Sequence, residues 1–233
     1  MDPQLRQRML AYYNERAPEY EEAYTLGTGT SSMPAPEVFK AEARLLEGIV
    51  ARVVRGRLID LGCGTAYWLP HYASNCSRIT LFDQSDRMLA EARAKARRLG
   101  VLDRCDLVQG DLFGHEFGPH RHDMALVGFV LSHLTEAQEH VMFDGLRRLL
   151  RPSGRFLILD SAWSAERATF NSKVERQPRR LNDGTRFEIY KRYCDRDDIS
   201  RWAQEHSVEV RIEHFGSAFF AVSGVFGRKA GNQ

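Results

Sequence analysis

Leu58-Ile59-Asp60-Leu61-Gly62-Cys63-Gly64-Thr65-Ala66 is the stretch that orders the rest of the chain. An apolar run stops at Asp60 and passes at once into Gly62-Cys63-Gly64, after which Tyr67-Trp68-Leu69 and Tyr72-Ala73 recur at helical spacing. That pattern predicts a strand, a tight glycine turn and a helix. Glycines at a strand end let the backbone turn sharply and come close to a ligand, and a following helix aims free N–H groups at the same place. A nucleotide-like ligand suits such a turn.

Two families use it, and spacing separates them. A dinucleotide fingerprint requires a third glycine three residues after the second, where the pyrophosphate meets the helix. Tyr67 stands there, and its ring argues against a pyrophosphate. The stretch instead resembles motif I of class I S-adenosylmethionine-dependent methyltransferases, acidic-x-Gly-x-Gly-x-Gly, met by Asp60, Gly62, Gly64 and, in the third place, Ala66. Alanine departs from the pattern but keeps a short side chain. The resemblance implies that Asp60, Gly62 and Gly64 belong to the cofactor site.

At 233 residues the chain fits one α/β domain with additions. No apolar run reaches the length of a membrane span, and Met1-Asp2-Pro3-Gln4 is polar, so a soluble, cytoplasmic protein is expected. Cys63, Cys76, Cys105 and Cys194 lack metal-ligand spacing, which predicts reduced, mostly buried thiols and no metal site. A formal net charge of +2 is too small to imply a nucleic-acid partner, although basic residues gather between Lys173 and Arg192.

Residues from about Gln4 to Tyr24 read as helical, with Pro18 interrupting. Tyr12-Tyr13-Asn14-Glu15-Arg16-Ala17-Pro18-Glu19-Tyr20 resembles the N-terminal lid of many small-molecule methyltransferases, which implies that Tyr20 lies near the methionine end of the cofactor. The same residues also suit an amphipathic helix that merely covers apolar surface. Gly27 to Pro36 reads as a flexible link and hinge, which gives a lid over residues 1–36 and a core domain over 37–233. The helix expected from Glu37 to about Val54 turns Val38, Leu45, Leu46, Ile49 and Val53 toward the sheet.

Arg78 to Phe82 is a short strand ending in Asp83, about twenty positions after the glycine turn, where a doubly wound fold brings the second strand tip beside the first. A carboxylate there can accept from both ribose hydroxyls, and it also suits a helix cap. The resemblance makes Asp83 the ribose-binding acid, with Gln84 beside it and Met88 against the adenine. Cys105 to Gln109 is a third strand closing on Gly110-Asp111-Leu112, the family's next landmark. Asp111 would meet the adenine amino group and the Leu112 amide a ring nitrogen, although Gly-Asp is also an ordinary turn.

Asp123 to Val127 reads as a central parallel strand leading to Gly128 and Phe129, whose carbonyls the resemblance assigns to the methionine ammonium. His133 is the candidate general base, because an unperturbed imidazole is largely neutral at physiological pH. A packing histidine is the alternative. No Asp/Asn-Pro-Pro-aromatic motif follows the strand, which favours a small-molecule acceptor over nucleic acid.

Thr135 to Leu150 reads as an amphipathic helix and Leu150 to Asp160 as a turn and fifth strand. Residues 161–194 exceed a normal connection, with Arg186 to Tyr193 expected to be extended. Pocket walls belong there by resemblance, and Arg179, Arg180 and Arg186 could meet an acidic or electron-rich acceptor on which Tyr190 could stack. A helix from about Asp195 to Glu205 and a closing antiparallel hairpin, Val208 to Phe215 and Ala218 to Phe226, follow.

The expected fold is α/β, a seven-stranded Rossmann-like methyltransferase sheet, mostly parallel with one antiparallel strand near the C-terminus and helices on both faces. The implied activity is methyl transfer from S-adenosylmethionine to an oxygen or nitrogen of a small molecule, leaving S-adenosylhomocysteine, in a monomer or homodimer without a metal. A non-catalytic S-adenosylmethionine-binding or RNA-associated module and a nicotinamide-dependent oxidoreductase are the rival readings.

Overall fold

The apolar run around Leu58 forms the central strand β1 (Gly56–Leu61), whose last four residues are buried, as a parallel strand between two helical layers must be. The computed structural model describes residues 2–25, 36–118 and 121–227. Strands β2 (Cys76–Asp83), β3 (Cys105–Gln109), β4 (His122–Gly128), β5 (Leu150–Ser161), β6 (Val174–Arg180), β7 (Arg186–Arg192), β8 (Val208–Phe215) and β9 (Phe219–Phe226) follow. Seven of them form one sheet in the order β3-β2-β1-β4-β5-β9-β8, and β6 pairs with β7 in a separate antiparallel ribbon. β9 runs antiparallel to both β5 and β8 and is the single reversed strand, as the closing hairpin predicts. The winding direction reverses between β1 and β4, which opens a crevice at the carboxyl ends of these strands.

The helices are α1 (Pro3–Arg16), α2 (Glu22–Thr25), α3 (Pro36–Val53), α4 (Leu69–Tyr72), α5 (Asp86–Arg98), α6 (Glu136–Leu149) and α7 (Arg196–Glu205). Leu46 and Val50 of α3, Leu69 of α4 and Ala92 of α5 pack on one sheet face with Leu58, Leu81 and Leu126. Phe143 and Leu146 of α6 and Trp202 of α7 pack on the other with Ile59, Ala125 and Val127. Neighbours Leu58 and Ile59 thus enter different cores, because strand side chains alternate. All four cysteines are buried and free of disulfides.

Several expectations change. Leu45 is 55% exposed, and the inward stripe of α3 is Phe39, Ala43, Leu46, Ile49 and Val50. Pro18 does break the first helix, at a tighter turn over Ala17–Glu19. The helix after the glycine turn is a single turn, α4, and the N–H groups of Gly62, Cys63, Gly64 and Ala66 are hydrogen-bonded within the protein, which replaces the row of free helix N–H groups expected to face a ligand. β6 was not foreseen, and it converts the long insertion into a hairpin. Of the link expected over Gly27 to Pro36, residues up to Ala35 lie outside the described residues, and α3 begins at Pro36.

The glycine motif has a backbone explanation. Gly62, Gly64 and Ala66 all have positive φ, +69°, +54° and +55°, so every second residue of the turn is left-handed. Ala66 therefore takes a conformation that costs a side-chain-bearing residue about 1–2 kcal/mol. The third small residue is set by left-handed geometry and not only by close approach, as its shortness alone had suggested. The N–H groups of Gly62 and Cys63 both donate to Phe82 O, at 2.8 and 3.0 Å, which fixes the turn on β2.

Asp60 sits beneath this turn and not on the crevice surface, which corrects the direct cofactor contact expected of it. It is 1% exposed, and its Oδ2 accepts from Tyr72 Oη at 2.7 Å. Burial pushes its carboxyl up to about 7, while the Tyr72 hydroxyl pulls it down.

Two outcomes follow from this turn. In Gly62→Ala the new Cβ would lie 2.4 Å from Val130 Cγ2 on a left-handed backbone. Thermal unfolding should show a loss of about 2 kcal/mol or more, and an unchanged melting temperature would contradict the geometry. For Asp60 the folded value of about 7 exceeds the ordinary aspartate value of 3.8, so between the two the folded chain holds the extra proton and stability falls as pH rises. Asp60→Asn removes that loss. The unfolding free energy of the variant minus that of the wild type, from urea titrations, should therefore climb from about pH 4 to about pH 7 and then flatten. A pH-independent difference would refute the raised carboxyl.

Candidate active site

The crevice at the carboxyl ends of β1, β2 and β4 is a cleft of about 900 Å³ including its mouth. Tyr20, Gly62, Gly64, Asp83, Gln84, Met88, Gly110, Asp111, Leu112, Gly128, Phe129 and His133 all line it. Sequence order had proposed these same residues, and the sheet brings them to one opening.

Each has a local reason for its place. Asp83 ends β2 and accepts from Gly64 N and Ser85 N, both at 2.8 Å, so it clamps the turn of the neighbouring strand. Burial pushes its carboxyl up, and these backbone donors counter the rise. The N-cap of α5 is Ser85, whose Oγ accepts from Met88 N at 3.1 Å; the cap expected as an alternative for Asp83 belongs to its neighbour. A Cβ on Gly64 would sit 3.7 Å from Tyr20 and 3.9 Å from Met88, so the bare backbone faces the space between those side chains. At Gly110 a Cβ would meet Phe82 at 2.8 Å, and at Gly128 it would meet Trp68 Nε1 at 2.8 Å. Phe129 is itself left-handed, with φ +58°.

Sequence reasoning missed how the N-terminal segment is attached. Leu5, Met9 and Tyr12 of α1 are buried in a small core with Leu181 and Ile189 of the β6–β7 hairpin, so lid and insertion make one wall. Arg6 pairs with Asp111, and Ser85 Oγ donates to Asn14 Oδ1 at 2.5 Å. Lys95 pairs with Glu21, which also accepts from Thr65 Oγ1 at 2.6 Å. No periodicity announces such pairs, since each joins distant elements through polar tips.

His133 lies where this wall meets the sheet. Its Nδ1 is 2.9 Å from the Tyr190 carbonyl, which can only accept, so Nδ1 carries the proton. Nε2 is then the acceptor for the Tyr13 hydroxyl at 2.7 Å. Burial, and then the charge of Lys191, hold the imidazole well below its ordinary range, so it is neutral at physiological pH. Burial also drives the Tyr13 phenol well up, which keeps its proton in place as the donor.

Behind Tyr13, Tyr20, Phe129 and His133 lies a second cavity of about 680 Å³ including its opening, which shares these four residues with the first. Arg179 lines it, whereas Arg180 and Arg186 are exposed at the hairpin end and Tyr190 contributes its carbonyl to His133. Arg16, Arg167 and Lys191, which sequence reasoning had not singled out as pocket residues, also line it. In the basic segment, Arg192 is buried against Glu139, and Lys191 is buried with Asp160 at 3.8 Å. Among the described residues no helix is long and apolar enough to cross a membrane.

Comparison with known proteins agrees with this architecture. Residues 58–154 match the family model described as a methyltransferase domain. A ubiquinone/menaquinone biosynthesis C-methyltransferase, UbiE, of Cereibacter sphaeroides is 28% identical over 125 residues, 49% of this chain and 49% of the relative. A carboxy-S-adenosyl-L-methionine synthase of Wolinella succinogenes is 28% identical over 125 residues, 52% of this chain and 50% of the relative. The chain thus spans about half the length of the curated relatives it matches. The solved DhpI–SAM–HEP complex superimposes with a TM-score of 0.77 at 24% identity, covering 96% of this chain and 99% of that one, a likeness of fold. With the glycine turn and the strand order in hand, residues 58–154 are read as a methyltransferase domain, set in a sheet with the Rossmann-like methyltransferase fold.

Proposed function

We propose that this protein transfers a methyl group from S-adenosylmethionine to an oxygen or nitrogen of a small molecule by in-line displacement. One observation carries the reading: residues scattered from Tyr20 to His133, each assigned by the order of the family's motifs, line a single cleft. A curated relative bears the name of a C-methyltransferase, so the acceptor atom rests on the local chemistry around His133.

The donor set fits the cofactor. Asp83 would offer a carboxylate to the ribose hydroxyls, Asp111 and the Leu112 amide would hold the adenine, and Met88 would give it an apolar wall. Gly128 and Phe129 supply carbonyls for the methionine ammonium, and the bare backbone at Gly64 leaves room for a close approach. When bound, S-adenosylmethionine supplies an electrophilic methyl on a positively charged sulfur. The tyrosine wall from Tyr13 to Tyr24 excludes water from the boundary between the two cavities, where alignment and desolvation lower the barrier. His133 holds its Nε2 lone pair toward the Tyr13 hydroxyl, so a proton leaving the acceptor passes to the Tyr13 oxygen as the phenolic proton moves to Nε2. The N-terminal segment, residues 1–36, acts as the lid of the domain formed by 37–233, and the 161–194 segment walls the acceptor pocket.

Titration calorimetry tests the cofactor. S-adenosylhomocysteine should bind the wild type at micromolar concentrations, and Asp83→Ala should weaken it roughly tenfold or more. No binding to the wild type would end this reading. His133→Ala should lower kcat by about 10²-fold while leaving S-adenosylhomocysteine affinity within about threefold. Equal losses in both would make His133 a packing residue.

A further inference from the structure

The second cavity has an electrostatic character that methyl transfer alone does not require. Arg16, Arg167, Arg179 and Lys191 line it, and no aspartate or glutamate does. Arg16 is 6% exposed, Arg167 4% and Lys191 8%. Among the described residues only Lys191 has a carboxylate within 4 Å, that of Asp160 at 3.8 Å, and Asp160 already accepts from the N–H groups of Ser132 and Ser161.

The other three, with Arg179 only half-buried, have no carboxylate at ion-pair distance among the described residues, and Glu42 and Asp160 reach Arg167 only through longer-range attraction. Arg16 donates to the Tyr12 hydroxyl, and its Nε is buried with no partner. Arg167 donates to the carbonyls of Ala162 and Ala218, both at 2.7 Å, and stacks on the Tyr193 ring at 4.3 Å. Arg179 donates to Gln177 Oε1 at 2.5 Å and to the Pro178 carbonyl at 3.2 Å. Buried cations without counter-charges are costly, and folds that keep several of them around one cavity recover that cost when an anion enters. Guanidinium forks match the paired oxygens of carboxylate and phosphoryl groups.

We propose that the cavity between α1, the β6–β7 hairpin and β5 binds a small acceptor carrying an oxyanion, a carboxylate or phosphoryl group, gripped by Arg16, Arg167, Arg179 and Lys191. The inference rests on the methyltransferase reading for what happens next to that acceptor. Because Tyr13, Tyr20, Phe129 and His133 line both cavities, the anion seats its carrier against the place where a methyl group would arrive. The bound negative charge also offsets Lys191, Arg179 and Arg16, the positive neighbours that disfavour a proton on His133. The imidazole then becomes a stronger base only when the acceptor is present.

The test is calorimetric, on the full chain, with and without saturating S-adenosylhomocysteine, at constant ionic strength. Inorganic phosphate and acetate are the oxyanion probes, which distinguish phosphoryl from carboxylate, and acetamide is the neutral match to acetate. At least one oxyanion should bind with a millimolar or tighter Kd, acetamide should not, and Arg179→Gln and Arg16→Gln should each weaken the oxyanion about tenfold or more. Arg180→Gln, an exposed neighbour, should bind as the wild type does. The two pocket variants guard against a folding defect in either, and unchanged S-adenosylhomocysteine affinity in Arg179→Gln confirms an intact cleft. Acetamide binding as well as acetate, wild-type oxyanion affinity in both pocket variants, or no oxyanion saturation below about 10 mM would overturn the inference. S-adenosylhomocysteine binding without oxyanion binding removes the acceptor class alone; oxyanion binding without S-adenosylhomocysteine binding removes the methyltransferase reading and leaves the anion site.

Discussion

The carboxylate of Asp83 holds the cleft together. One oxygen accepts from Gly64 N and the other from Ser85 N, so one side chain joins the turn after β1 to the end of β2 and the start of α5. The turn needs that support. Of its three left-handed residues two are unstrained glycines, but Ala66 is strained, and such a residue persists only where its surroundings over-determine it. The Phe82 carbonyl, receiving two N–H groups from the turn, supplies the rest of the constraint. The positions of Tyr20 and Met88, on either side of the bare Gly64 backbone, are set against that fixed point.

What could be read in the sequence was what the backbone encodes locally. Glycines at left-handed positions, apolar runs of strand length and the order of acidic residues after β1, β2 and β3 all leave marks in a single chain. They gave the sheet and most of the cleft. Asp60 was misplaced because an acid at a strand end reads the same whether it faces a ligand or lies beneath a turn. β6 escaped because Val174-Glu175-Arg176-Gln177-Pro178-Arg179-Arg180 has almost no apolar pattern, and only Gln177 in it is buried. Arg16, Arg167 and Lys191 come from three elements and meet only in three dimensions. A periodicity argument sees one element at a time, so a pocket assembled from tips of several was beyond its reach.

The N-terminal wall is held by two kinds of contact with different strengths. Its seam with the hairpin is apolar, through Leu5, Met9, Tyr12, Leu181 and Ile189, and burial of such side chains is worth roughly 1.5–3 kcal/mol each. Its ties to the cleft side are mixed: Arg6 with Asp111 and Arg87 with Glu15 are exposed pairs worth at most about 1 kcal/mol each, Ser85 donates to Asn14, and the Tyr24 ring stacks on Tyr67 at 4.1 Å and packs on Trp68 and Phe129. The hairpin is in turn fixed to the sheet side by Lys191 donating to Ser132 and by Arg192 buried against Glu139. The hydrogen bond from Tyr13 to His133 joins α1 to the residues after β4, which links the orientation of the imidazole to the position of the wall.

That seam also has a kinetic meaning. The apolar partners of α1 stand on β7 and the turn before it, late in the chain, so α1 cannot bury its stripe until most of the sequence is available. The strand pairings of the parallel sheet from β1 to β5 lie among residues 56–161. Closing a long loop adds entropy slowly with length, but the contact that rewards it arrives last. Leu5, Met9 and Tyr12 thus depend for their burial on residues about 170 positions later in the chain.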